Sequence, residues 1–390
     1  MKRILTVLAA TLAIAGTLQA QELANFSFGR GARPVVSPEI QNDSVTFRLK
    51  ADYATVVKLS GSWMPNPYGG TIDMVRGENN VWEVKIPLPE PEIYTYNFVV
   101  DGVAVNDPQN VLVQRDGTRY LPMLLVPGAR TENYGEATKH GTVSHPWYDS
   151  KILGMSRRLT VYTPYGYEAN PKKKYPVLYL LHGAGGDEEA WTSMGRAAQI
   201  LDNLIEKGLA EPMIVVMPNG NGNQQAARTL NIPEKPMQWD RNAMQNMSEA
   251  ERTRAMNGYV MSLCEEIVPF IEKNFRAIAK PESRAIAGLS MGGGHTISAS
   301  ILYPQMFDYI CPLSAAGSAT PEQIANLKKA GVKLYFLACG NADFLFQGSQ
   351  TLDKTLTEQG LQHEYFVSEG GHTWANWRLY LNTFAPKLFK

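Results

Sequence analysis

From Arg158 onward the chain repeats one pattern, an extended apolar run followed by a helical stripe, and few folds accommodate it. The runs are Arg158 to Pro164, Tyr175 to Gly183, Met213 to Gly220, Arg284 to Ser290, Tyr309 to Gly317, Lys333 to Gly340 and His363 to Gly370. Between them Ala197, Ile200, Leu201, Leu204 and Ile205 share the spacing of one buried helix face, as do Val260, Leu263, Cys264, Ile267 and Ile271. Strands that alternate with helices in this way predict an α/β architecture, a mostly parallel sheet covered on both faces.

The N-terminal part has a different period. From Ser44 to about Val126 apolar residues alternate in short runs (Val45, Phe47, Leu49; Trp82, Val84, Ile86; Tyr94, Tyr96, Phe98), and turn signals such as Pro65-Asn66-Pro67, Gly69-Gly70 and Asp101-Gly102 separate them. No amphipathic helix intervenes, so a small all-β, immunoglobulin-like sandwich is expected. A chain of 390 residues is long for one domain. The expected division is a signal peptide over 1–20, a sandwich over 21–127, a linker over the glycine-containing stretch 128–142, and an α/β domain over 143–390.

The signal peptide is read from Lys2 and Arg3, the apolar run Ile4 to Gly16, and Leu18-Gln19-Ala20 before the expected cleavage point. The run is short for a membrane span, and no cysteine follows it to carry a lipid anchor, so export to the periplasm or beyond is expected. Thirty-seven Lys and Arg balance 37 Asp and Glu, which argues against nucleic acid or an anionic membrane as partner. Three cysteines, Cys264, Cys311 and Cys339, cannot form a disulfide framework and read as buried thiols. The six histidines show no metal-ligand spacing, and no metal or cofactor is expected.

Gly288-Leu289-Ser290-Met291-Gly292 lies between an expected strand and an expected helix, the setting of a nucleophile elbow. Ser290 must turn sharply there, and glycine on either side removes the side chains that would collide. A serine hydroxyl needs a base. Of the six histidines, His372 sits in a glycine-flanked turn after the last strand, where the base falls in α/β-hydrolase chain order. His182 ends a strand, where a structural hydrogen-bonding role is expected; His295 is too near Ser290 on the same helix; His363 starts a strand; and His140 and His145 lie in or near the linker. Among seven carboxylates between Ser290 and His372, Asp343 alone follows a buried strand directly, with Glu369 as the rival. Backbone amides of Met291 and, from the loop Leu181 to Gly186, of Ala184 are the expected oxyanion donors. Trp191, Trp239, Trp374 and Trp377 are candidates for a substrate cleft or for core, and the first three are carried forward as candidate substrate-binding residues. The polar, methionine-rich segment Gln224 to Met256 reads as a lid or a surface excursion.

Leu159-Thr160-Val161-Tyr162-Thr163-Pro164, Tyr179-Leu180-Leu181-His182-Gly183, Val216-Met217-Pro218-Asn219-Gly220, Gly288 to Gly293 and Gly371-His372-Thr373-Trp374 together resemble the esterase D and feruloyl-esterase group, carbohydrate esterase family one. The stretch Tyr96 to Pro108 resembles early-set sandwich domains related to glycogen-binding modules. The resemblance implies a serine esterase of α/β-hydrolase fold that removes feruloyl or acetyl groups from plant cell-wall polysaccharide such as xylan. Acylated polysaccharide or oligosaccharide would be its partner, and Trp63, Trp82 and Tyr94 are open to sugar stacking or to core packing. Related enzymes cleave siderophore esters, and a non-catalytic glycan-binding protein on an esterase scaffold is the reading from another class.

Overall fold

The computed structural model describes residues 35–65, 70–221, 248 and 257–390. The expected signal peptide, Trp239 and nearly all of the Gln224 to Met256 segment lie outside the described residues. No helix among those described is long and apolar enough to cross a membrane.

The N-terminal strands are β1 (Glu39–Gln41), β2 (Ser44–Lys50), β3 (Val57–Gly61), β4 (Ile72–Asp73), β5 (Val75–Arg76), β6 (Val81–Pro87), β7 (Ile93–Val100), β8 (Val103–Val105), β9 (Val113–Asp116) and β10 (Arg119–Leu125). One sheet runs β1-β2-β6-β5 and the other β4-β3-β7-β10-β9, with β8 beside β7. Alternation places Val45, Phe47 and Leu49 of β2 opposite Leu59, Tyr96 and Phe98 of the second sheet in one core. Trp82 belongs to that core, and Trp63 stacks on Phe47 with ring centroids 5.6 Å apart.

The larger sheet contains β11 (Thr142–Ser144), β12 (Trp147–Ser150), β13 (Met155–Thr163), β14 (Val177–Leu181), β15 (Ile214–Pro218), β16 (Arg284–Leu289), β17 (Tyr309–Leu313), β18 (Leu334–Gly340) and β19 (Glu364–Ser368). Its order is β11-β13-β15-β14-β16-β17-β18-β19, and β12 pairs with β13. From β15 to β19 every pairing is parallel, whereas β13 lies antiparallel to β15. The helices are α1 (Ala190–Ser193), α2 (Ala197–Glu206), α3 (Val268–Asn274), α4 (Met291–Leu302), α5 (Pro321–Ala330), α6 (Phe346–Glu358) and α7 (Trp374–Phe384). A π-helical stretch, Leu263–Ile267, leads into α3.

Helices cover both faces of the sheet, as its strands show. In β14, Val177, Tyr179 and Leu181 face one core with Leu263, Ile267, Ile271 and Ile324, while Leu178 and Leu180 face the other with Ile200, Leu204, Tyr380 and Phe384. Burying each such side chain contributes roughly 1.5–3 kcal/mol. The second core also takes in Ile93 and Met123 from the N-terminal strands and Tyr134, which is fully buried, from the stretch between the two regions. The N-terminal region therefore shares apolar core with the α/β region.

Candidate active site

The carboxyl ends of β16, β18 and β19 carry Ser290, Asp343 and His372 respectively, at one edge of a continuous parallel sheet. In an open α/β sheet this is the edge where ligand-binding loops gather.

Ser290 is held at φ 54° and ψ −116° between β16 and α4, a region that L-residues occupy only under strain. Its N–H donates to Leu313 O at 2.9 Å, and its carbonyl accepts from Gly294 N–H at 2.9 Å. The flanking glycines answer to crowding. A Cβ on Gly288 would lie 2.3 Å from Gly292 O, and one on Gly292 would lie 2.5 Å from His182 O. Met291 opens α4, so its N–H has no intrahelical acceptor, and the positive end of the helix dipole points at the Ser290 turn.

The ring of His372 donates from Nδ1 to Asp343 Oδ2 at 2.8 Å. Asp343 is only 5% exposed, and its other oxygen accepts from Leu345 N–H at 2.9 Å, so both oxygens of the buried carboxylate are satisfied. The structure brings Asp343 to His372 and leaves Glu369 exposed. The two loops are tied together by Asn341 N–H to Ser368 O, Ala342 N–H to Gly370 O, and Asn376 Nδ2 to Gly371 O. The imidazole packs edge-on to Trp377 at 4.9 Å. Trp377 in turn donates to Ser314 Oγ at 3.0 Å, beside the Leu313 carbonyl that holds Ser290.

The loop after β14 passes directly beside the serine, since a Cβ on Gly183 would lie 3.2 Å from Ser290 Cβ. Ala184, next in the loop, is exposed. His182 anchors the base of this loop. Its Nδ1 donates to Gly183 O at 2.7 Å, and its Nε2 accepts from Gly220 N–H at 2.8 Å, a pattern that requires the neutral ring. Burial holds the His182 pKa below the ordinary histidine value, consistent with that tautomer.

The tryptophans divide. Trp191 is 1% exposed and its indole N–H donates to Leu181 O at 2.9 Å, so it is a packing residue beneath the loop and not part of a cleft wall. The expectation that it binds substrate is corrected by that burial. Trp374 is partly exposed and meets Trp191 and Trp377 edge-on at 5.3 and 5.1 Å. One residue that motif reading passed over is Phe344, 75% exposed, with its ring 4.5 Å from that of His372. Its place directly after Asp343 was the available signal. All three cysteines are free and buried.

Residues 150–330 match the sequence family described as "Putative esterase". An endo-1,4-beta-xylanase/feruloyl esterase of Xylanibacter ruminicola is 33% identical over 331 residues, which is 83% of this chain and 42% of that protein. The chain spans less than half the length of the first curated relatives it matches. A solved ferulic acid esterase superposes with a TM-score of 0.53 at 28% identity, covering 64% of this chain and 98% of the other. The enterobactin esterase of Shigella flexneri, 16% identical, shares the fold over 90% of this chain and 95% of its own, with a TM-score of 0.58. By the family match and these relatives, the chain is similar to carboxylic-ester hydrolases, feruloyl esterases among them.

Proposed function

We propose that the chain is an exported serine carboxylic-ester hydrolase that removes feruloyl or acetyl groups from plant cell-wall polysaccharide, with the N-terminal strands forming an early-set, immunoglobulin-like sandwich. The observation that carries the reading is the strained Ser290 turn at the same sheet edge as the His372–Asp343 pair. Ser290 Oγ attacks the ester carbonyl while His372 takes its proton, and Asp343 keeps the imidazole in the tautomer that leaves Nε2 free to accept it. The tetrahedral oxyanion is met by the N–H groups of Ala184 and Met291. Its collapse expels the sugar hydroxyl, which takes the proton back from His372. Water, activated in the same way, then releases the acid and restores Ser290. The kinship with a xylanase/feruloyl esterase supports the polysaccharide substrate.

The test is hydrolysis of methyl ferulate, acetylated xylan and p-nitrophenyl acetate by the wild type and by Ser290→Ala. The expected result is cleavage of ferulate, with a loss of at least about 10⁴-fold in kcat in the variant. Cleavage of acetyl esters alone would make the chain an acetyl esterase, and turnover of a catecholate siderophore ester alone would make it a small-ester hydrolase. Inactivity on all of them, with no labelling by a fluorophosphonate, would leave the non-catalytic glycan-binding reading.

A further inference from the structure

The loop that carries the Ala184 amide is held at its base by His182 and by Asn221, whose Nδ2 donates to Gly186 O at 2.8 Å, and its own side chains add little to that. It reads Gly183-Ala184-Gly185-Gly186-Asp187-Glu188-Glu189, and in its first four residues the only side chain is a methyl group. The acidic end is held from outside. Glu188, 1% exposed, accepts from Arg158 Nε at 2.8 Å and from Asn219 Nδ2 at 3.1 Å. Glu189 accepts from Arg158 Nη2. The remaining cation comes from the other region of the protein. Arg115, on β9, places Nη2 2.7 Å from Asp187 Oδ1 and 3.1 Å from Glu189 Oε2.

Arg115 is itself fixed. Its Nη1 donates to Gly117 O at 2.9 Å, and its backbone N–H donates to Ser193 Oγ at 2.6 Å on the helix that follows the loop. Its side chain is 18% exposed and that of Asp187 14%, so solvent screens the pair only in part. Burial by itself would raise the Asp187 pKa; the Arg115 hydrogen bond and the Glu189 amide outweigh it and bring the value below the ordinary range. Without Arg115, Asp187 and Glu189 would each lose a charged partner, and the mutual repulsion of three consecutive carboxylates would act on a glycine-rich stretch.

We infer that Arg115 is a positioning residue for catalysis: the β9–β10 hairpin of the N-terminal region clamps the oxyanion loop through Asp187 and Glu189, and so sets where the Ala184 N–H points. The inference rests on the serine esterase reading above. An oxyanion donor is useful only within about half an ångström of its productive place, and a displacement near 1 Å costs on the order of 100-fold. In this role the clamp acts through the loop and not on the substrate itself, so its loss should fall on the transition state and spare ground-state binding.

The experiment compares Arg115→Gln, Arg115→Lys, Asp187→Asn and the Arg115→Gln/Asp187→Asn double variant with the wild type, using p-nitrophenyl acetate and methyl ferulate. Expected for Arg115→Gln is a fall in kcat of about 10- to 100-fold with KM within about threefold. Affinity for an aryl boronic acid, which forms a tetrahedral adduct with the serine, should fall by the same factor, while the final stoichiometry of fluorophosphonate labelling stays at that of the wild type. Arg115→Lys should recover part of kcat, and the double variant should be no slower than the slower single one. Wild-type kcat in Arg115→Gln, a loss confined to KM, or full additivity of the two substitutions would overturn the inference and leave the esterase reading standing. A wild type that hydrolyses no ester and takes up no fluorophosphonate would overturn both.

Discussion

His295 gives a pH dependence whose size follows from the structure. It lies on α4, its ring 4.7 Å from that of Tyr259, and its Nδ1 is buried without a hydrogen-bond partner among the described residues. Burial, with a smaller contribution from nearby His182, brings its pKa down from 6.5 to about 4. The unfolded chain therefore binds this proton more readily than the folded one. The stabilisation is intact above pH 6.5 and is lost as the pH falls toward 4. Linkage with these two values removes about 2 kcal/mol between pH 7.5 and pH 5, and about 3 kcal/mol by pH 4. Replacing the ring by a side chain that never charges should abolish that share. Urea unfolding of the wild type and of His295→Leu at pH 7.5 and pH 5, followed by near-ultraviolet circular dichroism, measures it as a difference of differences, so titration elsewhere, His182 included, largely cancels. The expected drop on acidification is about 2 kcal/mol smaller in the variant. Equal drops in the two proteins would show that His295 is charged at little cost in the fold, and the reasoning from burial would fail.

Two further outcomes test how the site is supported and lined. Arg378, 2% exposed on α7, donates from Nε and Nη2 to Glu92 Oε1 at 3.2 and 2.9 Å and from Nη1 to Met194 O at 2.7 Å. Arg378→Met leaves Glu92 with Arg130 as its remaining ion-pair partner, and should cost about 3–5 kcal/mol in urea unfolding; adding Glu92→Gln should recover part of that loss, because the buried position then carries no under-compensated charge and the Arg130 left behind is partly exposed to solvent. Phe344→Ala removes an exposed ring, so stability should change by less than about 0.5 kcal/mol. If the ring forms an aromatic wall beside His372, KM for methyl ferulate should rise several-fold while KM for p-nitrophenyl acetate stays within about twofold, and a parallel change in both would refute that role.

What could be read before the fold was known depended on whether the physics was local. β14 and β16 announce themselves because both faces of each strand are buried, which leaves an unbroken apolar run. Ser290 was legible for a similar reason, since its turn leaves no room for a Cβ at 288 or 292. Asp343 and His372 followed from strand ends and chain order. β11 and β12, in contrast, sit at the sheet margin with mostly exposed or half-buried residues, and the end of β11's pairing with β13 falls where the glycines of 128–142 suggested a linker. Trp191 was ambiguous because an indole beside a catalytic loop looks the same in sequence whether it faces substrate or core; the Leu181 carbonyl decides it.

Two long-range ion pairs left no local trace. Arg115 meets Asp187 across 72 positions and Arg378 meets Glu92 across 286, and neither belongs to a periodicity or a motif. Both pairs join the N-terminal strands to the edge of the sheet that carries Ser290 and His372, one at the loop beside Ser290 and the other on the helix that follows His372. Shared core at Ile93, Met123 and Tyr134 makes that junction apolar as well as ionic. Since a buried charge left without its partner is costly, cutting the chain near residue 142 would strip Asp187, Glu189 and Arg378 of partners at the same time as it exposed that core. The motif segments of the α/β region are therefore insufficient to describe the candidate site: its supports include residues more than a hundred positions before Ser290.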